Sequence, residues 1–155
     1  SFVAFVQYFM DQAGGINTNK QKKVYFFDPF LYSSLLSYKR GQTLWTVISE
    51  VLSDEESISR LVEGVVVAHL RLWQEEPYKR EPWSFLGFYY DRSTEVDAVT
   101  KIGQELWGIE VKFRSQARHI RRIPSHLKKL LVITQEEMPG IKKWKFILLI
   151  YSHSI

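Results

Sequence analysis

The sequence predicts a single α+β domain in which a mixed sheet is flanked by helices. One observation is a set of short segments rich in β-branched and aromatic residues. The other is a longer segment, 54–73, whose apolar residues recur at helical spacing. Strands in meander order beside such a helix are typical of an α+β arrangement. The strand-like segments after the helix are 84–91, 95–102, 106–113, 130–134 and 146–151. A polar loop is expected at 75–81, a short helix after Ser125, and a turn at the Met-Pro-Gly sequence of 138–140.

The N-terminal part predicts a hairpin followed by a helix. Residues 1–10 and 22–27 are strand-like, and a polar loop that contains glycine joins them. A helix can begin after the Asp-Pro pair at 28–29 and end at the Lys-Arg-Gly sequence at 39–41, because basic residues followed by glycine are typical of a helix end. A short apolar segment, 44–52, follows.

The long helix is predicted to begin with a capping box at 53–56, where Ser-Asp-Glu-Glu places acids in the first turn. Its apolar residues form a main stripe and a second flank, so we expect it to be buried on most sides. Glu63 projects among the residues of the second flank. It is either paired with an Arg or Lys or it belongs to a functional site, because an uncompensated buried carboxylate is costly. The main stripe is Ile58, Leu61, Val62, Val65, His69 and Leu72, and the flank is Val66, Val67 and Leu70.

The composition excludes several classes of protein. The 155 residues are enough for one domain with a substantial core, and a hydrophobic content of 45% argues against disorder. The chain has no cysteine, which excludes disulfides and thiolate metal sites and fits a cytoplasmic location. No apolar run approaches the roughly 20 residues of a membrane span. The chain begins without an initiator Met, on strand-like sequence, so we expect a fragment of a longer protein.

Positive charge is concentrated between residues 112 and 129. This segment holds seven lysines and arginines and no acidic residue, which exceeds the whole-chain net charge of +4. One interpretation is a surface for a phosphate-bearing partner such as DNA. The other is a solvated, positively charged face. The candidate nucleic-acid-binding residues are Arg114, Arg118, Arg121, Arg122, Lys128 and Lys129.

Charged residues interrupt two neighbouring apolar strands. Glu110 and Lys112 are two apart, so their side chains share one face of a strand. With a two-residue turn at 103–104, Asp97 on the preceding strand lies directly opposite Glu110. Two carboxylates placed face to face need compensation, and hard divalent cations bind carboxylate oxygens. The pattern therefore predicts a Mg²⁺ or Mn²⁺ site at Asp97 and Glu110.

Structural interpretations of the same residues stay open. Glu95 and Lys112 also face one another in this register and could form a cross-strand ion pair. Asp97 and Glu110 could instead be a solvated pair at the rim of the sheet. The chain has no G-x-x-x-x-G-K-[ST] loop, which excludes an ATP site of that kind within it.

The order of these residues resembles the PD-(D/E)XK nuclease superfamily. Glu63 on a helix is followed by Asp97 on one strand, and then by Glu110 and Lys112 on the next strand. Val96 stands where the superfamily motif has Pro. The resemblance implies a restriction-endonuclease-like core in which the three carboxylates hold Mg²⁺ or Mn²⁺. It also implies that Lys112 positions or activates the attacking water, so that all four residues are catalytic.

A closer resemblance covers roughly residues 20–135. The segment Lys-Val-Tyr-Phe-Phe-Asp-Pro at 23–29 is similar to the K-x-Y-F-x-D-P signature of an uncharacterised domain that follows the ATPase core in many archaeal and bacterial AAA-type ATPases. The sequences at 61–66, 95–97 and 109–112 match the rest of its pattern in order. This resemblance implies a nuclease-like fold attached to an upstream ATPase domain.

Two functional hypotheses follow from these resemblances. Residues 1–52 would form a hairpin and helical lead-in, with the hairpin as a winged-helix remnant, packed as one unit with a nuclease-like core at 53–155. The first hypothesis is a Mg²⁺- or Mn²⁺-dependent DNA phosphodiesterase attached to an ATPase. The alternative is a non-catalytic module that docks nucleic acid or protein and regulates the ATPase, because a fold does not fix a function.

Overall fold

One sheet of seven strands organises the residues that this computed structural model describes, which are 3–78, 86–92, 94–112, 123–137 and 144–152. The elements are β1 (Ala4–Met10), β2 (Ile16–Phe26), α1 (Pro29–Arg40), α2 (Leu44–Ser53), α3 (Glu55–Tyr78), β3 (Leu86–Tyr90), β4 (Glu95–Ile102), β5 (Glu105–Lys112), β6 (Lys129–Glu137) and β7 (Trp144–Ser152). The strand order is β2-β1-β3-β4-β5-β6-β7. The β1–β3 and β5–β6 pairs are parallel and the others antiparallel, which confirms the predicted α+β fold with a mixed sheet. The boundary predicted near residue 53 stays a prediction.

The N-terminal hairpin is confirmed, but its turn is much shorter than the predicted loop. The carboxylate of Asp11 accepts hydrogen bonds from the backbone N–H groups of Ala13 and Gly15, and Gly14 adopts a φ of 83°. The second strand therefore begins at Ile16, which pairs with Met10. Of the polar residues that follow Ile16, Asn17 pairs with Phe9 and Lys22 pairs with Tyr8, and the register shifts between these two pairs. Backbone pairing needs no apolar side chains, so this part of the strand gave no signal in the sequence.

The helix ends are formed by short polar side chains and one glycine. Asp28 accepts a hydrogen bond from Phe30 N–H at the start of α1, and Gly41 ends that helix with a φ of 62°. The segment 44–52 lies within α2. The N-cap of α3 is Asp54, which accepts from Ser57 N–H at 2.9 Å. The predicted cap, Ser53, is instead the last residue of α2, so the capping box was placed one residue too early.

The buried face of α3 differs from the predicted one. Gly64, Val67 and Ala68 face the sheet, whereas His69, which was assigned to the main apolar stripe, is exposed. Small residues decide this orientation, because a Cβ at Gly64 would lie 3.2 Å from the ring of Tyr25. The predicted second flank is thus the one that packs on the sheet. The helix also continues to Tyr78, although a loop was predicted from residue 75.

The meander of β3, β4 and β5 matches the prediction. Its second turn contains Gly103, with a φ of 63°, and the ladder runs from Ile102–Glu105 to Ala98–Ile109. One step further along this register are Asp97 and Glu110. These residues therefore lie on adjacent strands, as predicted.

The chain before β6 was predicted to contain a short helix after Ser125, and this is wrong. Residues 123–128 form turns, and Lys128 N–H donates to the carbonyl of Leu106 at 2.8 Å. The buried side chain of Leu127 fills the core beside β5. The rest of this connection, 113–122, and the turn predicted at 138–140 lie outside the described residues. Within the described part of the chain, no helix is both long and apolar enough to cross a membrane.

Gly87 is the position at which a small substitution should disturb the sheet most. A Cβ there would lie 2.6 Å from Met10 Cβ and 2.9 Å from the carbonyl oxygen of Tyr8. We expect Gly87→Ala to lower the free energy of unfolding by about 1–3 kcal/mol, because backbone must move. Urea titration measures this. Gly103→Ala is the comparison, since a Cβ there meets nothing within 4 Å and costs only backbone strain. A loss at Gly87 no larger than at Gly103 would contradict this packing argument.

Candidate functional site

A cleft of about 720 Å³ lies between β2, α3 and the strands β4 and β5. Its volume is typical of ligand-binding clefts. The four residues predicted for the site all line it, and so do three further polar residues that were not predicted to belong to it. The predicted residues are Glu63, Asp97, Glu110 and Lys112, and the additional ones are Lys23, Tyr25 and Glu95.

Asp97 and Glu110 form a buried acidic pair at the floor of the cleft. Both residues are less than a tenth exposed. The Asp97 carboxylate accepts a hydrogen bond from Val111 N–H at 2.8 Å, which fixes its orientation across the two strands. Glu110 Oε2 is buried without a hydrogen-bond partner. The pair thus offers one backbone-anchored carboxylate and one buried oxygen that lacks a donor.

The electrostatics of this pair favour the neutral form of Asp97. Burial raises its pKa to about 7, and the charges of Glu110 and Glu63 act in the same direction. The attraction of Lys23 offsets only part of this rise. Burial also raises the pKa of Glu110, against the opposing effect of Lys112. Burial is thus the main reason that the charged form of each carboxyl is disfavoured.

Lys112 lies on the same face as Glu110, as their spacing predicted, and its ammonium donates to Glu110 Oε1. Burial by itself lowers the pKa of Lys112, but the hydrogen bond and charge of Glu110 outweigh burial and raise it. Lys112 is therefore charged at neutral pH. The alternative cross-strand pair between Glu95 and Lys112 is not the arrangement found, because Glu95 is paired with Lys23.

Lys23 lies at the centre of the cleft, although it was not predicted to belong to the site. Its ammonium lies 2.8 Å from Glu63 Oε1, 2.7 Å from Glu95 Oε1 and 3.5 Å from Asp97 Oδ1. Burial lowers the pKa of Lys23, but these three carboxylates outweigh burial and raise it. The interpretation of Glu63 as a carboxylate paired with a lysine is thus correct.

The contact between Lys23 and β4 shows that the sheet is strongly curved. Two strands separate β2 from β4, which corresponds to roughly 14 Å in a flat sheet. A lysine side chain cannot reach across that distance, so β2 must bend over the concave face. Lys23 and Tyr25 are two apart and share the face of β2 that meets α3. The signature at 23–29 also contains both residues, but neither it nor their spacing says which residues of other elements the two would meet.

Tyr25 is the second residue that is hydrogen-bonded to the Glu63 carboxylate. Its hydroxyl donates to the same oxygen, Glu63 Oε1, that Lys23 contacts. Burial raises the pKa of this hydroxyl, and the negative charge of Glu63 adds to the rise, so Tyr25 stays a donor across the physiological range. Glu63 is thereby fixed at the wall of the cleft. Its assignment as a metal ligand stays a prediction.

Gln7, on β1, is hydrogen-bonded to the backbone at the floor of the cleft, and it too was not predicted to belong to the site. Its amide is fully buried and donates to the carbonyl oxygens of Gly87 at 2.9 Å and Asp97 at 3.2 Å. These hydrogen bonds connect β1 to both β3 and β4. The backbone of Asp97 is therefore held by a side chain from two strands away.

The basic segment lies mostly outside the described residues, including Arg114, Arg118, Arg121 and Arg122. Of the other two candidates, Lys128 is exposed and Lys129 lies 4.3 Å from the ring of Trp107. Lys129 pairs with Trp107 in the β5–β6 ladder, whereas Thr134 pairs with Lys112. Five residues of strand therefore separate Lys129 from the cleft, which is roughly 16 Å. Binding of nucleic acid by the six candidate basic residues stays a prediction.

The charges of the cleft do not balance. Four carboxylates, from Glu63, Glu95, Asp97 and Glu110, face two ammonium groups, from Lys23 and Lys112, while the guanidinium of Arg60, which also lines the cleft, is paired with Glu56. In the described residues, no three or more His, Asp or Glu side chains are arranged to hold a metal ion together. Lys23 lies closest to Glu63 and Glu95 and is 3.5 Å from Asp97. Lys112 bonds only Oε1 of Glu110, so the oxygen left for a cation from solution is Glu110 Oε2, beside Asp97.

Comparison with known proteins identifies a family. The model of a domain of unknown function (DUF4143) matches residues 59–149, which include Glu63, Asp97, Glu110 and Lys112. No curated protein and no solved structure matches the chain. The matched family is often found at the C-terminus of AAA ATPases, as the resemblance implied. Because the match covers more than half of the chain, the chain belongs to the DUF4143 family.

Proposed function

We propose that the cleft is a divalent-cation site for phosphodiester cleavage of DNA. The observation that carries this proposal is the buried Asp97–Glu110 pair, in which Glu110 Oε2 has no partner while Lys112 lies beside it. The proposal extends the resemblance to PD-(D/E)XK nucleases, which have the same residue types in the same order.

The donor set suits Mg²⁺ or Mn²⁺. Both ions prefer oxygen ligands, and Mg²⁺ is commonly held by only one or two carboxylates, with water and substrate phosphate in the other positions. Asp97 and Glu110 would supply these carboxylates. Among the described residues, the cleft offers only these two carboxylates to a cation, which fits a site whose other ligands are water and substrate phosphate. A bound cation would supply a water of lowered pKa and would stabilise negative charge on phosphate oxygens.

The chain's own residues would position the reactants. Lys112 is charged at neutral pH, so it acts as a cation that orients phosphate or water and not as a general base. Asp97 is held in place by Val111 N–H and, through its carbonyl, by Gln7. Glu63 is fixed by Lys23 and Tyr25 and closes one wall of the cleft.

A second function is favoured by a different observation. Lys23 already neutralises part of the acidic cluster, which is what a cleft that needs no metal would require. The domain would then dock nucleic acid or a protein and regulate an attached ATPase. Attachment to an ATPase and a cytoplasmic location belong to both proposals.

Cleavage of DNA separates the two functions. We expect the protein to cut plasmid or single-stranded DNA in Mn²⁺ and to lose about 100-fold or more of this activity in Lys112→Ala, because a cation that stabilises developing charge is removed. Lys101→Ala is the matched control, since Lys101 is an exposed lysine on β4. Salt-sensitive DNA binding without cleavage would favour the docking function. Equal cleavage by both variants would rule out the role given to Lys112.

A further inference from the structure

Two further cavities continue the cleft along the sheet. The first, of about 340 Å³, shares Gln21, Lys23 and Glu95 with the cleft. The second, of about 520 Å³, shares Tyr90 and Asp91 with the first. These two cavities, which we call the outer groove, therefore lead from the acidic pair to the turn between β3 and β4.

The strand β2 borders the outer groove at the point where it leaves the ladder with β1. The ladder register shifts after Asn17 and resumes at Lys22, so residues 18–21 have no partners on β1. Lys20 and Gln21 of this segment line the outer groove. The extra residues of β2 therefore form one side of the groove and do not extend the sheet.

The floor of the outer groove is aromatic. The rings of Phe88 and Tyr90 are stacked with their centroids 5.9 Å apart, and Phe9 meets Tyr90 edge-on at 5.2 Å. Phe9 and Phe88 are buried, whereas Tyr90 is only partly buried and lines both cavities. Tyr90 is thus an accessible ring that two buried rings hold in place. Bases of single-stranded nucleic acids stack on aromatic side chains of this kind.

Two basic side chains flank this ring. Lys20 Nζ lies 5.9 Å from the centroid of the Tyr90 ring, and Arg92 lines the same cavity from the β3–β4 turn. Both basic residues are exposed. Asp11 and Asp91 also line this cavity, but their carboxylates accept hydrogen bonds from backbone N–H groups of their own turns. The combination of an aromatic ring with flanking cations suits a chain of bases and phosphates.

We propose that the outer groove binds single-stranded DNA, with an unpaired base stacked on Tyr90 and the adjacent phosphates contacted by Lys20 and Arg92. This inference rests on the proposed function and names the class of DNA that the cleft would cut. A base within a duplex is already paired and stacked, so it cannot stack on a tyrosine in a groove. Tyr90 pairs with Glu95, two residues from Asp97, so the ring lies roughly 7 Å along the strands from the proposed cation site. One DNA strand can therefore occupy both positions.

The test is the fluorescence anisotropy of labelled oligonucleotides in EDTA, in which a metal-dependent site does not cut DNA. We expect the wild type to bind a single strand about 10-fold more tightly than a duplex of the same sequence, because only the single strand can stack on Tyr90. Tyr90→Leu should remove this difference by weakening single-strand binding about 10-fold. Tyr90→Phe should bind like the wild type, since the ring is kept. Tyr38→Leu is the matched control, because Tyr38 is a 90% exposed tyrosine on α1 that does not line the groove.

The salt dependence of binding tests the phosphate contacts separately. Lys20→Ala should lower the slope of log affinity against log salt concentration by about 0.7, because one phosphate contact is lost. Lys101→Ala, which removes an exposed lysine outside the groove, should leave the slope unchanged. If Tyr90→Leu is unfolded by circular dichroism, this slope decides. A lower slope in Lys20→Ala supports the inference, and an unchanged slope overturns it.

The outcomes distinguish this inference from the proposed function. Equal affinity for the two forms of DNA, or equal single-strand affinity of the wild type and folded Tyr90→Leu, overturns the inference. Cleavage of DNA in Mn²⁺ would then leave the proposed function standing. Single-strand binding that depends on Tyr90, without cleavage in Mn²⁺, supports the inference and contradicts the proposed function. Neither binding nor cleavage of either form of DNA overturns both.

Discussion

Asp97→Asn is expected to stabilise the metal-free protein above pH 7 by about 1–3 kcal/mol. The pKa of Asp97 is raised to about 7 by burial and by Glu110, so ionising this carboxyl in the folded state costs free energy. Asparagine has no charge to bury, and its amide oxygen can still accept from Val111 N–H. The carboxylate of Asp97 therefore lowers the stability of the metal-free protein although the proposed cation site needs it.

The sign of the pH dependence follows from the folded and unfolded pKa values. Below the ordinary pKa of 3.8 the carboxyl is protonated in both states and contributes nothing to the pH dependence. As the pH rises towards 7, the unfolded chain releases its proton first, so the wild type loses stability. The loss is complete only well above the folded-state pKa of about 7. The advantage of Asp97→Asn should grow between pH 4.5 and 8.

Urea titrations in EDTA at several pH values measure this advantage. Asp54→Asn is the control, because Asp54 is a fully exposed helix cap and asparagine caps equally well. Its advantage over the wild type should not grow above pH 5. The same pH dependence for both variants would show that Asp97 is not an electrostatically strained residue.

Gln7→Ala is expected to lower the free energy of unfolding by about 2–4 kcal/mol. The substitution leaves a cavity in the core and deprives two buried carbonyl oxygens, those of Gly87 and Asp97, of their side-chain donor. Because one of these oxygens belongs to Asp97, we also expect weaker Mn²⁺ binding. Stability is measured by urea unfolding and binding by calorimetry.

An exposed glutamine provides the comparison for Gln7. Gln12 donates to the hydroxyl of Tyr89, but its own side chain is exposed. Gln12→Ala should therefore cost less than about 0.5 kcal/mol. If the loss in Gln7→Ala is as small as in Gln12→Ala, the amide of Gln7 does not support the floor of the cleft.

Much of the fold could be predicted because its signals are local. The two-residue turn at 103–104 between two apolar segments predicted the β4–β5 register. The orientation of α3 could not be predicted, since it depends on how closely Gly64 approaches Tyr25, a contact between elements. The early start of β2 was missed for the same reason: Ile16 and Asn17 pair with Met10 and Phe9 of β1, which is again a contact between elements.

The candidate site was predictable where its residues are close in sequence. Glu110 and Lys112 share a strand, and Asp97 follows from the turn between the two strands. Lys23 and Gln7 could not be found in this way. Their partners lie on strands and a helix more than 35 residues away, and Lys23 meets its partner on β4 only because the sheet curves.

Calorimetric titration of the wild type and Asp97→Asn with Mn²⁺ tests the central claim most directly. Asp97→Asn is suited to this comparison because it should be folded and no less stable than the wild type at pH 8. If the Asp97–Glu110 pair is a divalent-cation site, the wild type binds one ion and Asp97→Asn binds none. Equal binding by both proteins, or binding by neither, would contradict the claim.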